Sequence, residues 1–451
     1  MKHTFTTILC LVLTSALLLG CIGCSPSAES PKVSEDPGST STETTPAAQQ
    51  NAPQDTPAAE TLKIGVMVPM TGGSVLAGEQ LIQACQMMSD LINNGSDIGL
   101  PLTESEGLPN LGGMKVEFVV GDCVTAESSL SEAERLITEE NVSAIIGLYG
   151  SGQTKTALVS SEKYGIPLLS PASTESLCES GNKYFFRSTA HDGQYIESTY
   201  EFLQYMNETQ GAEIKTVAAI CEDTDFGANL LISATEDAEK YGFEFISGIS
   251  YSASANNFSS EVMKLKAANP DAVIMATFTS DGIQLIKTFK EQDFNPKLIV
   301  GQRAGFQQTD FLSTLGADAQ YLCSTTPWAG DIGFEMADKL CKLYKEQYSG
   351  GVDLIGWVAS AMIDFYIAAY AYNQAGEVSP DAFKSAMLTG LDFDQSKQFA
   401  AVNGFSYDEN GQITSFLPLV MQVQDGAYKT VFPADNASCD VKFPIPAWNE
   451  R

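Results

Sequence analysis

Positive charge is scarce in this chain. Its 451 residues hold 25 lysines and arginines against 56 aspartates and glutamates, a formal net charge of −31. Nucleic acids are held largely by basic side chains that neutralise phosphates, so that class of partner is excluded. Anionic headgroups repel so acidic a protein too, and charge alone would not keep it on a membrane. Histidine is nearly absent, with only His3 and His191, so a multi-histidine metal site is ruled out. With Cys10 and Cys21 in the N-terminal export segment set aside, the eight remaining cysteines show no zinc-ligand spacing. Walker A, G-x-G-x-x-G and G-x-S-x-G patterns are all missing. Ser160-Ser161-Glu162-Lys163 fits S-x-x-K, but it falls in a predicted helix without the partner motifs of that chemistry. No cofactor and no metal is expected, and the chain does not read as an enzyme.

The N-terminus is richer. Lys2 and His3 precede an apolar run over 8–19, and the small residues Gly20 and Gly23 follow beside Cys21 and Cys24. A basic start, an apolar stretch and a small-residue exit make a secretory signal. The run is shorter than the roughly 20 residues that span a bilayer. Leu18-Leu19-Gly20-Cys21 resembles a bacterial lipobox, which implies cleavage after residue 20 and a lipid on Cys21. Cys24 is the alternative. Cleavage removes Lys2 and no acid, leaving 24 basic against 56 acidic residues, or −32. The lipid must then do the anchoring, outside the cytoplasm and on the cell membrane. Residues 25–60 are dominated by Ser, Thr, Pro, Ala, Gln and acids. Such a stretch cannot bury enough apolar area to offset its ordering entropy, and its prolines keep it extended. Residues 21–60 therefore read as a lipidated tether.

The remainder, 61–451, is long enough for two to three domains. Short apolar runs alternate with amphipathic stretches. LKIGVMVP (62–69), MKVEFVV (114–120), 142–147 and 166–169 read as strands, with helices between them. The pattern restarts at 216–221, 243–250, 271–276 and 297–300. Strands alternating with helices imply parallel sheets covered on both faces. The expected fold is α/β, two doubly wound lobes similar in element order but without a residue-level repeat. Helices are expected over 334–348, 357–373 and 380–388, the last begun by Ser379 and Pro380. Strand-like runs at 405–407, 416–424 and 428–431 are separated by Asn410-Gly411 and Asp425-Gly426 turns.

In open parallel sheets, ligands bind beyond the carboxyl ends of the strands. Three such ends stand out: GLYGSGQT (147–154), SPAST (170–174) and DTDFG (223–227). Glycines admit a ligand to the backbone. Helix-start amides with the Ser151 hydroxyl suit a carboxylate. The second loop adds hydroxyls and amides, and Phe226 in the third could cover a ligand. Each loop could equally be only a turn and a cap.

The segments IGVMVPMTGG, VEFVVGDCVTAESSLSEAERLI, VSAIIGLYGSGQT, LLSPAST, YFFRSTAHDGQ, EDTDFGANL and FSYDENGQITSFLPLVMQVQDG, in that order, resemble the leucine/isoleucine/valine-binding protein family, with the type I periplasmic-binding-protein fold. The resemblance covers about 61–451. It implies two lobes joined by a hinge, about 61–189 with 325–400 and about 190–324 with 401–451, and a ligand clamped between them. It implies an ABC permease as partner and no covalent chemistry. A ligand-sensing receptor of the same fold is the alternative, and a secreted hydrolase using Ser151 a more distant one. By position, Tyr149 and Ser151 line the first loop, while Ala172, Ser173 and Thr174 hold the ligand carboxylate. Phe226 is an aromatic wall, and Phe278 lies on the following strand end. Two residues depart from the family. Arg303 stands where amino-acid binders place an acid for the ammonium, and Ala77 where a larger residue can wall the pocket. The ligand is then an amino acid or another small carboxylate, with Arg303 meeting a second acceptor or turning away to pair with Asp310. Cys123 matches a position that can be disulfide-bonded, but Gly150 occupies its partner's place.

Overall fold

The apolar run that opens the body becomes β1 (Leu62–Val68), buried along nearly its whole length. In the computed structural model, which describes residues 61–71, 75–148, 150–348, 354–393, 398–400 and 404–451, β1 is an interior strand of a sheet. It pairs in parallel with β2 (Val116–Asp122) on one side and β3 (Ala144–Gly147) on the other. β4 (Leu168–Ser170) and β5 (Phe185–Arg187) complete the parallel order β2-β1-β3-β4-β5. The connections are α1 (Val75–Asn94), α2 (Ala126–Thr138), α3 (Ser151–Tyr164) and the single turn α4 (Ser176–Glu179).

The second sheet repeats this plan. Its strands β6 (Thr216–Glu222), β7 (Glu244–Tyr251), β8 (Ala272–Ala276), β9 (Leu298–Gln302) and β10 (Cys323–Thr326) are parallel and ordered β7-β6-β8-β9-β10. With β6 set against β1, the two orders are the same. The hairpin β11 (Leu419–Gln424) and β12 (Ala427–Phe432) adds two antiparallel strands beyond β10. Its turn is the expected Asp425-Gly426, both at positive φ. The helices here are α5 (Asp192–Gln210), α6 (Asp225–Asp237), α7 (Ser259–Ala268), α8 (Thr279–Glu291) and α9 (Thr309–Leu315).

After β10 the chain returns to the first sheet as α10 (Glu335–Gln347), α11 (Gly356–Ala375) and α12 (Pro380–Thr389). The Ser379 hydroxyl accepts from the Ala382 amide at 3.3 Å, the cap read from the sequence. α11 is apolar on nearly all sides because it packs against α1, α12 and β3 at once. It joins one continuous core with β1, α1 and Phe383. Each fully buried side chain of Leu or Phe size there contributes roughly 1.5–3 kcal/mol. Among the described residues no helix is long and apolar enough to cross a membrane.

The structure moves some sequence expectations. The strand expected at 114–120 starts at Val116, because Met114 closes a bridge to Leu108. The run 405–407 makes only isolated bridges, to Leu391 and Ile413. The last crossing between sheets was expected near 401, yet Gln412 pairs with Arg187 at the edge of the first sheet, and Phe405, Tyr407 and Ile413 sit in that sheet's core. No disulfide joins the described cysteines. Cys21, Cys24 and Tyr149 lie outside the described residues.

Candidate functional site

The carboxyl ends of the two sheets meet. Ser151, directly after β3, is the first residue of α3 and is buried. No side-chain cap hydrogen bond is formed at its N-terminal Gly150, and Gly150 and Ser151 both line the cleft. The turn after β4 carries Ala172, Ser173 and Thr174, all buried. From the second sheet come Phe226 at the start of α6, Phe278 after β8 and Arg303 after β9. Ser151, Ala172, Ser173, Phe226, Phe278 and Arg303 line one small cavity of about 20 Å³, together with Trp357 of α11. That volume holds about one water. Ala77 is buried but does not line it. A larger cavity, about 700 Å³, opens beside Leu312, Leu354, Met421 and Tyr428 on the flank of the β11–β12 hairpin. None of the residues singled out from sequence reaches it, and it is not where the strand ends converge.

Arg303 does not pair with Asp310, which lies exposed in the first turn of α9. Its Nη2 donates instead to the Ser173 hydroxyl at 2.5 Å and to Asp192 Oδ1 at 3.2 Å. Asp192 begins α5 and is fully buried, so it reaches the guanidinium inside the protein where Asp310 would have to cross solvent. The guanidinium lies 3.9 Å from the Tyr195 ring centroid and 5.2 Å from that of Phe226. Its backbone is unusual as well, with φ 54° and ψ −129°, a region costly to any residue but glycine. Thr174 links the sides a second time, its hydroxyl donating to the Asp225 carbonyl at 3.3 Å.

Arg187 sets the position of the second loop. Its Nε donates to the Ala172 carbonyl at 2.8 Å, Nη2 to the Thr174 carbonyl at 2.5 Å and Nη1 to Gln412 Oε1 at 2.8 Å. Burial lowers its proton affinity, opposed by the nearby Cys178, Asp192 and Glu175, and its guanidinium lies 5.9 Å from the Phe185 ring centroid. The neighbouring Glu175 carboxyl is held below its ordinary value, first by the hydrogen bond from His191. Sequence reasoning missed Arg187, Asp192, Tyr195 and Trp357. The first two lie in YFFRSTAHDGQ, a segment noted for its resemblance but given no residue roles.

The sequence profile of the periplasmic binding protein family matches residues 61–427, most of the chain. This chain belongs to that family. Within it, the relatives are of the leucine/isoleucine/valine-binding group. Leu/Ile/Val-binding protein homolog 7 of Brucella abortus is 26% identical over 396 residues, covering 86% of this chain and 95% of its own. The branched-chain amino acid substrate-binding protein LivJ of Streptococcus pneumoniae, solved with isoleucine, superposes with a TM-score of 0.68 at 21% identity over 83% of this chain and all of its own. A solute-binding protein of an ABC transporter from Rhodopseudomonas palustris, solved with 3,4-dihydroxybenzoic acid, gives 0.67 at 20% identity, covering 82% and 95%. At these identities the solved structures establish the shared fold. The family is one of solute-binding, non-catalytic proteins that work outside the cytoplasm.

Proposed function

We propose that this chain is the lipid-anchored solute receptor of an ABC importer, which captures a small carboxylate by closing its two lobes on it and presents the closed form to a membrane permease. The observation that carries the reading is the convergence of strand ends from both sheets on a single small cleft. There Ser151 and Ser173 from one lobe face Arg303, Phe226 and Phe278 from the other. A ligand of amino-acid size needs far more than about 20 Å³, so it enters only when the lobes part.

Two measurements test this. Isoleucine, benzoate and 3,4-dihydroxybenzoate are screened by thermal shift. A binder present at 100 times its Kd stabilises the protein by about 2.7 kcal/mol. Small-angle scattering with and without that binder then reports compaction, and an unchanged radius of gyration at saturation sinks the clamp. The anchor is tested in cells. Cys21→Ala leaves the protein in the soluble or unprocessed fraction and Cys24→Ala leaves it on the membrane, whereas release by the Cys24 change alone would move the lipid to Cys24.

A further inference from the structure

Among the described residues, Arg303 is the only charged side chain lining the cleft, and it is positive. It is 3% exposed, and its Nη1 has no hydrogen-bond partner among the described residues. A buried guanidinium donor left without an acceptor is costly, and a ligand carboxylate removes that cost. The nearest acid cannot serve a ligand ammonium. Asp192 is fully buried, with Oδ1 on Arg303 and Oδ2 accepting from Asn229 at 3.1 Å. Recruiting it would strip Arg303 of its counter-charge. Glu222 and Asp281, the other buried acids at these strand ends, do not line the cavity, and Asp281 is engaged by the Tyr251 hydroxyl. The remaining large walls, Phe226, Phe278 and Trp357, are aromatic.

From this we infer that the ligand is a carboxylic acid without an α-ammonium group, its acid on Arg303 and the α3 amides and its apolar or aromatic body against Phe226, Phe278 and Trp357. The inference rests on the solute-binding reading above. An ammonium in this cleft would be desolvated beside a guanidinium, with no free carboxylate among the described residues to meet it. Amino acids are thereby selected against by the same residue that attracts their acid group.

Matched pairs that differ only in the amine decide it. Calorimetric titration of the mature chain compares 4-methylpentanoate with leucine and 3-phenylpropanoate with phenylalanine, with 3-phenylpropanamide as the uncharged control. At least one acid binds about 100-fold or more tighter than both its amino acid and the amide. Replacing Arg303 alone strands the Asp192 charge, so the variant joins Arg303→Met with Asp192→Asn, removing both charges together. It folds, and it loses about 30-fold or more in affinity for the acid while the preference over the amide disappears. Leucine or phenylalanine binding as tightly as its partner acid overturns this inference and leaves the solute-binding reading standing. If no compound of the panel binds, isoleucine and the benzoates included, both fall.

Discussion

Asp364→Asn raises the stability of the folded protein at pH 7 by up to about 4 kcal/mol. Asp364 lies in the middle of α11 and is fully buried. Burial pushes its carboxyl from 3.8 up to about 8, against the opposing pull of the Ser188 hydroxyl and the Gly147 amide. Neither gives its oxygens a well-formed hydrogen bond. The folded protein therefore keeps the proton at neutral pH, while the unfolded chain releases it above about 3.8. Between those values the folded state binds the extra proton. Its stability then falls as pH rises, by about 1.4 kcal/mol per pH unit, with the full loss reached near the folded value. Asparagine keeps the shape and titrates nothing. Urea unfolding at pH 5, 6, 7 and 8 checks the effect. The wild type weakens across the series and the variant weakens less. Some slope persists in the variant because burial also raises Glu222, to about 7. A variant less stable than wild type at pH 7, or one with the same slope, would show that Asp364 is held ionised by a partner.

The second large effect comes from one methyl group. A Cβ on Gly227 would stand 2.0 Å from the Glu222 carbonyl, a backbone atom that cannot swing aside. Gly227→Ala therefore pushes the start of α6 away from the end of β6 by about 1 Å and carries Phe226 with it. The Thr224 cap, which accepts from the Gly227 amide at 3.3 Å, is stretched in the same movement. The expected cost is about 3 kcal/mol of stability, at the upper end for overpacking. Affinity should fall about 100-fold, because a wall of the cleft is misplaced. Thermal melts and titration with the best acid of the panel read the two losses separately. Wild-type values in both would mean that the helix start yields without cost.

The same constraint shows how far the sequence could be read. Gly78, near the start of α1, has the equivalent relation to the Pro69 carbonyl, also 2.0 Å from a Cβ. The two lobes thus share a close approach of a helix-start glycine to a strand-end carbonyl, which sequence reading did not see. Close approach of helix to strand demands glycine at one position and leaves its neighbours free to diverge, so no string repeats. Long apolar runs such as β1 and β6 were legible because they exceed any turn. β3 and β4 are as short but apolar, whereas β5 (FFR) ends in an arginine and β10 (CSTT) holds no large apolar side chain, so neither reads as an apolar run. The loops that hold Ser151, Ser173 and Phe226 were legible by their place after strands. The Arg303–Asp192 pair was not, since 111 residues separate its members and only the fold brings them together. Asp310 was a nearer acid in the chain and a distant one in space.

The first sheet is complete at Arg187, but the helix that covers its face begins at Gly356. Between them the chain builds almost all of the second lobe. A polypeptide emerging from a ribosome or an export pore therefore carries part of one apolar face of that sheet uncovered for well over a hundred residues before α11 arrives. Each lobe is finished only after the other has begun, the first by α11 and α12 and the second by the β11–β12 hairpin that follows them. Any fragment that ends before α11 exposes the surface most prone to aggregate, so the two lobes cannot be separated by cutting the chain once.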